Sequence, residues 1–324
     1  MKYVITGCDG HLGGQVAENV LKEVSPSQLI FTCPSLARLN PDKRAKWESM
    51  GISIREANYS DPEGLKKAFD GGNRLYMISG VLVGEKRVQQ HKNAIDAAIA
   101  AGIEHITYTS FLGASDPAYA EVFVTPDHTA TESYMKECAK KYGIRYNFMR
   151  NNLYLQNYLT GYSTLALTTQ NKWFTSAGDG KATFVPRDDS ARLAAALLLG
   201  RGEDNTAYLS CGAESISPHE ICTVVREVTG IDFIYTPVDS EGMYQYFDSL
   251  HIPRTTDGDF SKSPIPWCSD DMVTNEACVK EGKMDVTSDD IYKITGKAPA
   301  TARELAEQSK DFLIGFMKRF GSAK

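Results

Sequence analysis

Along the first half of the chain, short continuous apolar runs alternate with longer stretches whose apolar residues recur every three or four positions. Lys2-Tyr3-Val4-Ile5-Thr6 reads as a buried strand. It runs into glycines at 7, 10, 13 and 14, after which Val16, Ala17, Val20, Leu21 and Val24 keep helical spacing. The unit recurs, with strands expected over 28–33, 52–55, 74–79, 105–109 and 145–149. Helices are expected over 42–50, 61–69, 85–101 and 127–141. Asp61-Pro62 supplies an N-cap followed by proline at the first helical position. Such alternation implies right-handed parallel crossovers, helices on both faces of a doubly wound α/β sheet, and a ligand crevice at the carboxyl ends of its strands.

Past residue 152 the pattern is less regular. A helix opens at Asp188-Asp189-Ser190, a short strand lies at 207–210, and another helix follows Ser217-Pro218. The expected division is a dinucleotide domain over 1–152 and a smaller, mixed substrate-covering region over 153–324, some of whose elements pack back on the first. Residues 251–271 are polar and carry Pro253, Pro264 and Pro266, so they should form a long loop, either a lid or a connector. Trp267 is a candidate substrate contact or a residue that packs this loop down. The closing helix, 302–320, carries Leu305, Phe312, Leu313, Phe316, Met317 and Phe320 as a face expected to dock on the core.

The opening turn has a specific chemistry. Its glycines let the backbone turn tightly, let a pyrophosphate approach, and let the helix pack close to the strand, so that free N–H groups at the helix start face an anion. A glycine triplet is weak by itself. Its place after a buried strand and before an amphipathic helix is the context that makes it a dinucleotide site.

Composition narrows the field further. With 324 residues, 42% hydrophobic and 23% charged, the chain can bury a large core, and a net charge of −6 argues against phosphate-backbone binding as its main activity. Nucleic acid and membrane are therefore not expected partners. No apolar run reaches the ~18 residues of a membrane span, and the first residues lead directly into a strand, so a cytoplasmic protein is expected. The seven cysteines are scattered without a Cys-x-x-Cys pair. His219, Glu220 and Cys222 lack a matching second group, so neither disulfide nor metal is expected.

Several local patterns together resemble the NmrA-like branch of the atypical short-chain dehydrogenases, especially its NAD(P)H quinone oxidoreductases and triphenylmethane dye reductases. They are residues 6–14, Ile78-Ser79-Gly80, Tyr108-Thr109-Ser110-Phe111, His128-Thr129-Ala130-Thr131-Glu132, Arg150-Asn151-Asn152-Leu153-Tyr154 with Asn157-Tyr158, Pro186-Arg187-Asp188-Asp189-Ser190-Ala191, and Thr295-Gly296-Lys297-Ala298-Pro299. The resemblance implies a Rossmann domain with a small carboxy-terminal domain, a nicotinamide cofactor in the cleft, and hydride transfer to an electron-poor acceptor. It places Thr6, Gly7, Asp9, Gly10, His11, Leu12, Gly13, Ser79, Gly80, Thr109 and Ser110 along that cofactor.

The cofactor's phosphate state is argued at the end of the second strand, where Thr32-Cys33-Pro34-Ser35-Leu36-Ala37-Arg38 offers no carboxylate to a ribose. Ser35 and Arg38, with Lys43 or Arg44 behind, suit a phosphate instead, which favours NADP(H) over NAD(H). Similar reductases often carry arginine where this chain has Cys33 or Pro34. No tyrosine is followed four residues later by lysine, and Glu132 stands about where the isoflavone-reductase pattern has a lysine.

Without that pair, reduction of an isolated ketone lacks its usual proton donor, whereas quinones and conjugated cations accept hydride without one. The chain therefore reads as a positioning reductase for a small conjugated acceptor. Asn152 and Tyr154 are candidates to orient the acceptor, Phe111 to wall it, and His128 to donate a proton or hydrogen bond. Each also has a packing reading: Tyr154 at the domain junction, Asn152 as a helix cap, Phe111 in the core. His91 reads as near the cofactor by resemblance or as helix surface. An NADP-binding redox sensor without turnover, and a carbonyl or enone reductase with another proton donor, are the alternatives; monomer and homodimer are equally compatible. Replacing Gly10 or Gly13 by Asp should block pyrophosphate approach, measured as loss of cofactor binding by the folded variant, and unchanged affinity would refute the placement of the site.

Overall fold

The six strands expected in the first half all form, and the sheet gains a seventh from beyond residue 200. In the computed structural model, which describes residues 1–320, β1 (Tyr3–Ile5), β2 (Leu29–Cys33), β3 (Ser53–Glu56), β4 (Arg74–Met77), β5 (His105–Phe111), β6 (Arg145–Asn151) and β8 (Thr206–Ser210) build one sheet in the order β3-β2-β1-β4-β5-β6-β8. Every pairing in it is parallel, with Val4 opposite Ile30 on one side and Leu75 on the other. Both faces are covered, and β1, β2, β4 and β5 accordingly consist entirely of buried residues.

Twelve helices are described: α1 (His11–Leu21), α2 (Pro41–Ser49), α3 (Pro62–Phe69), α4 (Glu85–Ala100), α5 (Thr125–Tyr142), α6 (Ser163–Thr168), α7 (Arg187–Leu198), α8 (Pro218–Thr229), α9 (Ser240–Ser249), α10 (Ser269–Lys280), α11 (Asp290–Thr295) and α12 (Ala302–Phe320). On one sheet face α1 and α2 set Val16, Ala17, Val20 and Trp47 in a core shared with Ala191, Ala194 and Leu198 of α7. The small alanines of α7 let it lie close along α1. Arg74 fixes its far end: Nε donates to the Leu198 carbonyl (2.6 Å), which has no backbone donor among the described residues, and Nη2 to the Leu197 carbonyl (3.1 Å), which also accepts from Gly200 N. The opposite face packs α3, α4 and α5 through Leu65, Phe69, Ile95, Ala98, Met135 and Cys138.

The second half has its own core around Tyr158, Tyr162, Trp173, Phe184, Phe233 and Phe247. There β7 (Lys172–Thr175) pairs in parallel with β9 (Ile234–Pro237), and a π-turn over Asn157–Tyr162 feeds α6. The fully buried Glu276 of α10 accepts from Thr175 Oγ1 (3.0 Å) and Ser176 Oγ (2.7 Å), tying α10 to the end of β7. Residues 251–268 form the expected irregular loop. Its ends meet where Ser269 N donates to the Pro253 carbonyl (2.9 Å), and it reaches α4 through the exposed Lys86–Asp257 pair (3.2 Å). On α12 the docked face is narrower than expected. Leu305, Ala306 and Leu313 are buried, while Phe312 and Phe320 stay exposed.

Three of the six histidines, His91, His105 and His128, are buried. Burial first, then the neighbouring cation Arg87 or Arg74, lowers His91 and His105 to about 3 and holds His128 well below the ordinary imidazole range. In the unfolded chain each binds its proton near pH ~6.5. As pH falls below that value the unfolded state gains protons the folded state refuses, so stability should drop by about 1 kcal/mol per pH unit for each histidine. Urea midpoints between pH 7 and 5 should show the decline, and His105→Gln should make it shallower by one proton.

Candidate functional site

The strand order reverses between β1 and β4, and the glycine turn lies at their carboxyl ends, where this architecture opens its crevice. Gly7 takes a left-handed φ of +66°. Gly10 N donates back to the Gly7 carbonyl (3.0 Å), and α1 starts at His11 with no side chain capping it. The first N–H groups of the helix therefore face outward, an anion site by geometry and dipole. The two outer glycines do different work. A Cβ on Gly13 would lie 2.3 Å from the Gly7 carbonyl oxygen, so Gly13 is fixed by backbone packing. A Cβ on Gly10 would meet that oxygen at an ordinary 3.5 Å, so space there is open toward the ligand side. Gly10→Asp is consequently the cleaner of the two substitutions.

Several expected cofactor contacts are occupied within the chain. Thr6 is buried; its hydroxyl donates to the Tyr76 carbonyl (3.1 Å), lies 2.8 Å from Tyr59 Oη, and receives the Ile78 N–H (2.9 Å). It clamps β1 to β4, and its hydroxyl is taken up within the chain. Thr109 Oγ1 donates to Tyr76 Oη (2.8 Å), and Ser110 Oγ donates to Glu132 Oε1 (2.7 Å). Both residues are buried, and both hydroxyls are engaged within the chain. Ser79 and Gly80 remain half-buried at the end of β4.

Beyond β2, the Arg38 guanidinium, 67% exposed, pairs with the buried Asp9 carboxylate at 3.1 Å, which draws the cation back toward the glycine turn. Ser35 Oγ accepts from Ala37 N (3.3 Å) and sets the tight turn that carries Arg38. Lys43 brings its ammonium to 2.8 Å from where a Cβ on Gly14 would stand and lies over the Trp47 ring. The expectation of no carboxylate here needs correction. Glu56, at the end of β3, accepts from Leu36 N (2.7 Å), a contact across twenty residues of sequence.

On the other side of the crevice, Phe111 ends β5, and the His128 ring stacks on it with centroids 6.1 Å apart. His128 Nδ1 meets Tyr108 Oη at 2.8 Å. His91, buried and not on the helix surface, meets the same hydroxyl at 3.3 Å and accepts from Gly80 N at 2.8 Å. Glu132 is buried and held by Arg150 Nε (3.0 Å) and Nη2 (2.6 Å), which explains how a carboxylate occupies that interior position.

Tyr154 is half-buried. It receives the Asn151 amide (3.3 Å), and the Arg187 guanidinium lies over its ring, 5.3 Å from the centroid, a neighbour not expected from the sequence. Burial pushes its phenol up to about 12, so it stays protonated at neutral pH. Asn152 departs from expectation. Its amide donates to Thr183 Oγ1 and the Met284 carbonyl (both 2.9 Å) and its oxygen accepts from Leu153 N (2.8 Å), so it staples two distant segments and has no N–H left for an acceptor. Trp267 also packs elsewhere, with its ring edge 2.9 Å from where a Cβ on Gly161 would be, pinning the loop on the π-turn. Asp189 does not cap α7; it pairs with Arg192 and accepts from Ala300 N. Among the described residues no cluster of metal-ligating side chains occurs.

Comparison with known proteins agrees with this architecture. The chain is 31% identical to quinone oxidoreductase 2 of Escherichia coli over 249 residues, 77% of this chain and 82% of that protein. The crystal structure of the E. coli NADPH-dependent quinone oxidoreductase complexed with NADPH superposes with a TM-score of 0.80 at 27% identity, covering 94% of this chain and 99% of that one. Triphenylmethane reductase of Citrobacter complexed with NADP(H) gives 0.78 at 26% identity, covering 95% and 99%. The sequence profile of the NmrA-like family matches residues 2–263, the stretch that contains the whole seven-stranded sheet and the glycine turn at its crevice, and the chain belongs to that family.

Proposed function

We propose that this protein is an NADPH-dependent reductase that delivers hydride to a quinone-like or otherwise conjugated small molecule. The observation that carries the reading is the uncapped, sterically open start of α1 at Gly10, with the Arg38 and Lys43 cations beside it. The N–H groups at His11, Leu12 and Gly13 would hold the pyrophosphate, and Arg38 with Lys43 the additional phosphate that distinguishes NADPH. Glu56 does not reverse that preference, because its carboxylate is engaged by Leu36 N. The names of the similar structures, NADPH and NADP(H) complexes of a quinone oxidoreductase and a dye reductase, support the same choice.

Bound NADPH supplies the hydride. The chain's own residues position the acceptor: Phe111 offers an apolar face, while His128 and Tyr154 offer donors that are neutral at physiological pH. That set suits an acceptor whose reduced form is a delocalised anion or a neutral molecule, because such a product needs hydrogen bonds to its oxygen and not an obligatory acid. No tyrosine–lysine pair is needed for it.

Purified protein should bind NADPH more tightly than NADH and oxidise it when a quinone or cationic dye is added. Binding without turnover over a panel of quinones, dyes and enones would instead indicate a redox sensor, and absence of binding would overturn the proposal. Arg38→Ala should raise the Kd for NADPH about tenfold and leave that for NADH unchanged, as expected for one charge-assisted contact. His128→Ala should lower kcat with 2-methyl-1,4-naphthoquinone about tenfold at unaltered NADPH affinity, measured by initial rates and nucleotide fluorescence.

A further inference from the structure

Behind His128 lies a buried chain of polar groups that the hydride-transfer reading leaves unused, and its proton positions can be assigned link by link. A backbone N–H can only donate. Gly80 N therefore donates to His91 Nε2 (2.8 Å), and that nitrogen carries no proton. His91 is fully buried with Arg87 nearby, so the ring is neutral and its single proton sits on Nδ1. That N–H has Thr131 Oγ1 at 2.9 Å, and the Thr131 hydroxyl donates onward to the Asp127 carbonyl (2.7 Å). Tyr108 Oη, 3.3 Å from the same His91 nitrogen, cannot donate to a nitrogen that already bears hydrogen. Of the acceptors around its O–H, His128 Nδ1 at 2.8 Å is the short one, while the Thr131 hydroxyl nearby is already the acceptor of His91. If His128 instead carried its proton on Nδ1, the buried Tyr108 hydroxyl would lose its short acceptor, a loss the interior does not tolerate cheaply. His128 must then carry its proton on Nε2. That atom makes no hydrogen bond within the chain and, unlike both ring nitrogens of His105, is not sealed from the surface.

We infer that Tyr108 and His91 are positioning residues, anchored on the Gly80 backbone, that lock His128 in the Nε2–H tautomer and so present a fixed hydrogen-bond donor to the acceptor's oxygen. The inference rests on the reading that the acceptor lies against Phe111 and His128. Tyr108 touches neither acceptor nor cofactor in this scheme and acts through His128 alone. The charged groups around the chain agree with a neutral donor. Arg87, 3.6 Å from Asp127, opposes an imidazolium, and Glu132 is neutralised by Arg150 and does not reach the ring nitrogens. The relay also joins two sides of the crevice. Gly80 stands just past β4 on the cofactor side and His128 in the first turn of α5, stacked on Phe111 at the end of β5, on the acceptor side, so each is placed with reference to the other.

The test is nitrogen-15 NMR of imidazole-labelled protein at pH 7, with the His128 signals assigned by their loss in His128→Gln. A protonated Nε2 and an unprotonated Nδ1 are expected. The reverse tautomer, or an imidazolium, would overturn the relay, and this measurement needs no variant beyond the assignment. Tyr108→Phe, which removes only the hydroxyl, should give a mixture of tautomers and lower kcat with 2-methyl-1,4-naphthoquinone about tenfold while the Kd for NADPH stays at the wild-type value. Unchanged kcat, or NADPH affinity falling by the same factor, would show that Tyr108 merely packs and would overturn the inference. Wild-type turnover in His128→Ala would overturn the acceptor-side reading itself, a result separable from a reversed tautomer, which overturns the relay alone.

Discussion

The close approach of α1 to β1, with the Gly13 backbone against the Gly7 carbonyl, is the constraint on which the remaining architecture depends. No side chain fits between them. The helix start is consequently placed by backbone contact, which side-chain repacking cannot relax, and its N–H groups point where the strand order reverses. The opposite flank of α1 is closed by the alanine-rich face of α7, itself held at its C-terminus by Arg74 from the base of β4. Helix, sheet and anion site are thus one mechanical unit, in which a buried arginine at one end of the sheet supports a glycine turn at the other.

At the carboxyl ends of the strands, most polar side chains face one another. Thr6, Tyr59 and Ile78 form one closed set, Thr109 and Tyr76 a second, Ser110, Glu132 and Arg150 a third. These groups make the crevice floor rigid and leave few donors free. Among the described residues, those left toward the crevice include the first N–H groups of α1, the Lys43 ammonium and His128 Nε2. A floor held in this way suits chemistry that asks for placement more than for proton transfer.

The sequence made the local units legible because strand, turn and helix each leave a periodic signal, and the glycine turn was recognisable from its position between two such units. Partners far apart in the chain leave none. Nothing near Thr6 signals Tyr59, nothing near Leu36 signals Glu56, and the roles of Thr109, Ser110 and Asn152 changed once Tyr76, Glu132 and Thr183 were seen beside them. Polar residue type was therefore a fair guide to which positions lie near the crevice and a poor guide to which of them face it. His91 shows the opposite case: a polar residue that helical position suggests is exposed proves to be the interior link between Gly80 and Tyr108.

Completion of the sheet by β8, which pairs with β6 from Asn147–Thr206 to Asn151–Ser210, makes the nucleotide-binding half discontinuous along the chain. A segment ending after β6 would lack both that strand and α7, exposing the edge of one and the apolar flank of α1. The first half is consequently not a cassette that recombination could lift out and join to a different second half. A transferable first half would have to carry residues 186–210 with it, the stretch that supplies α7 and β8.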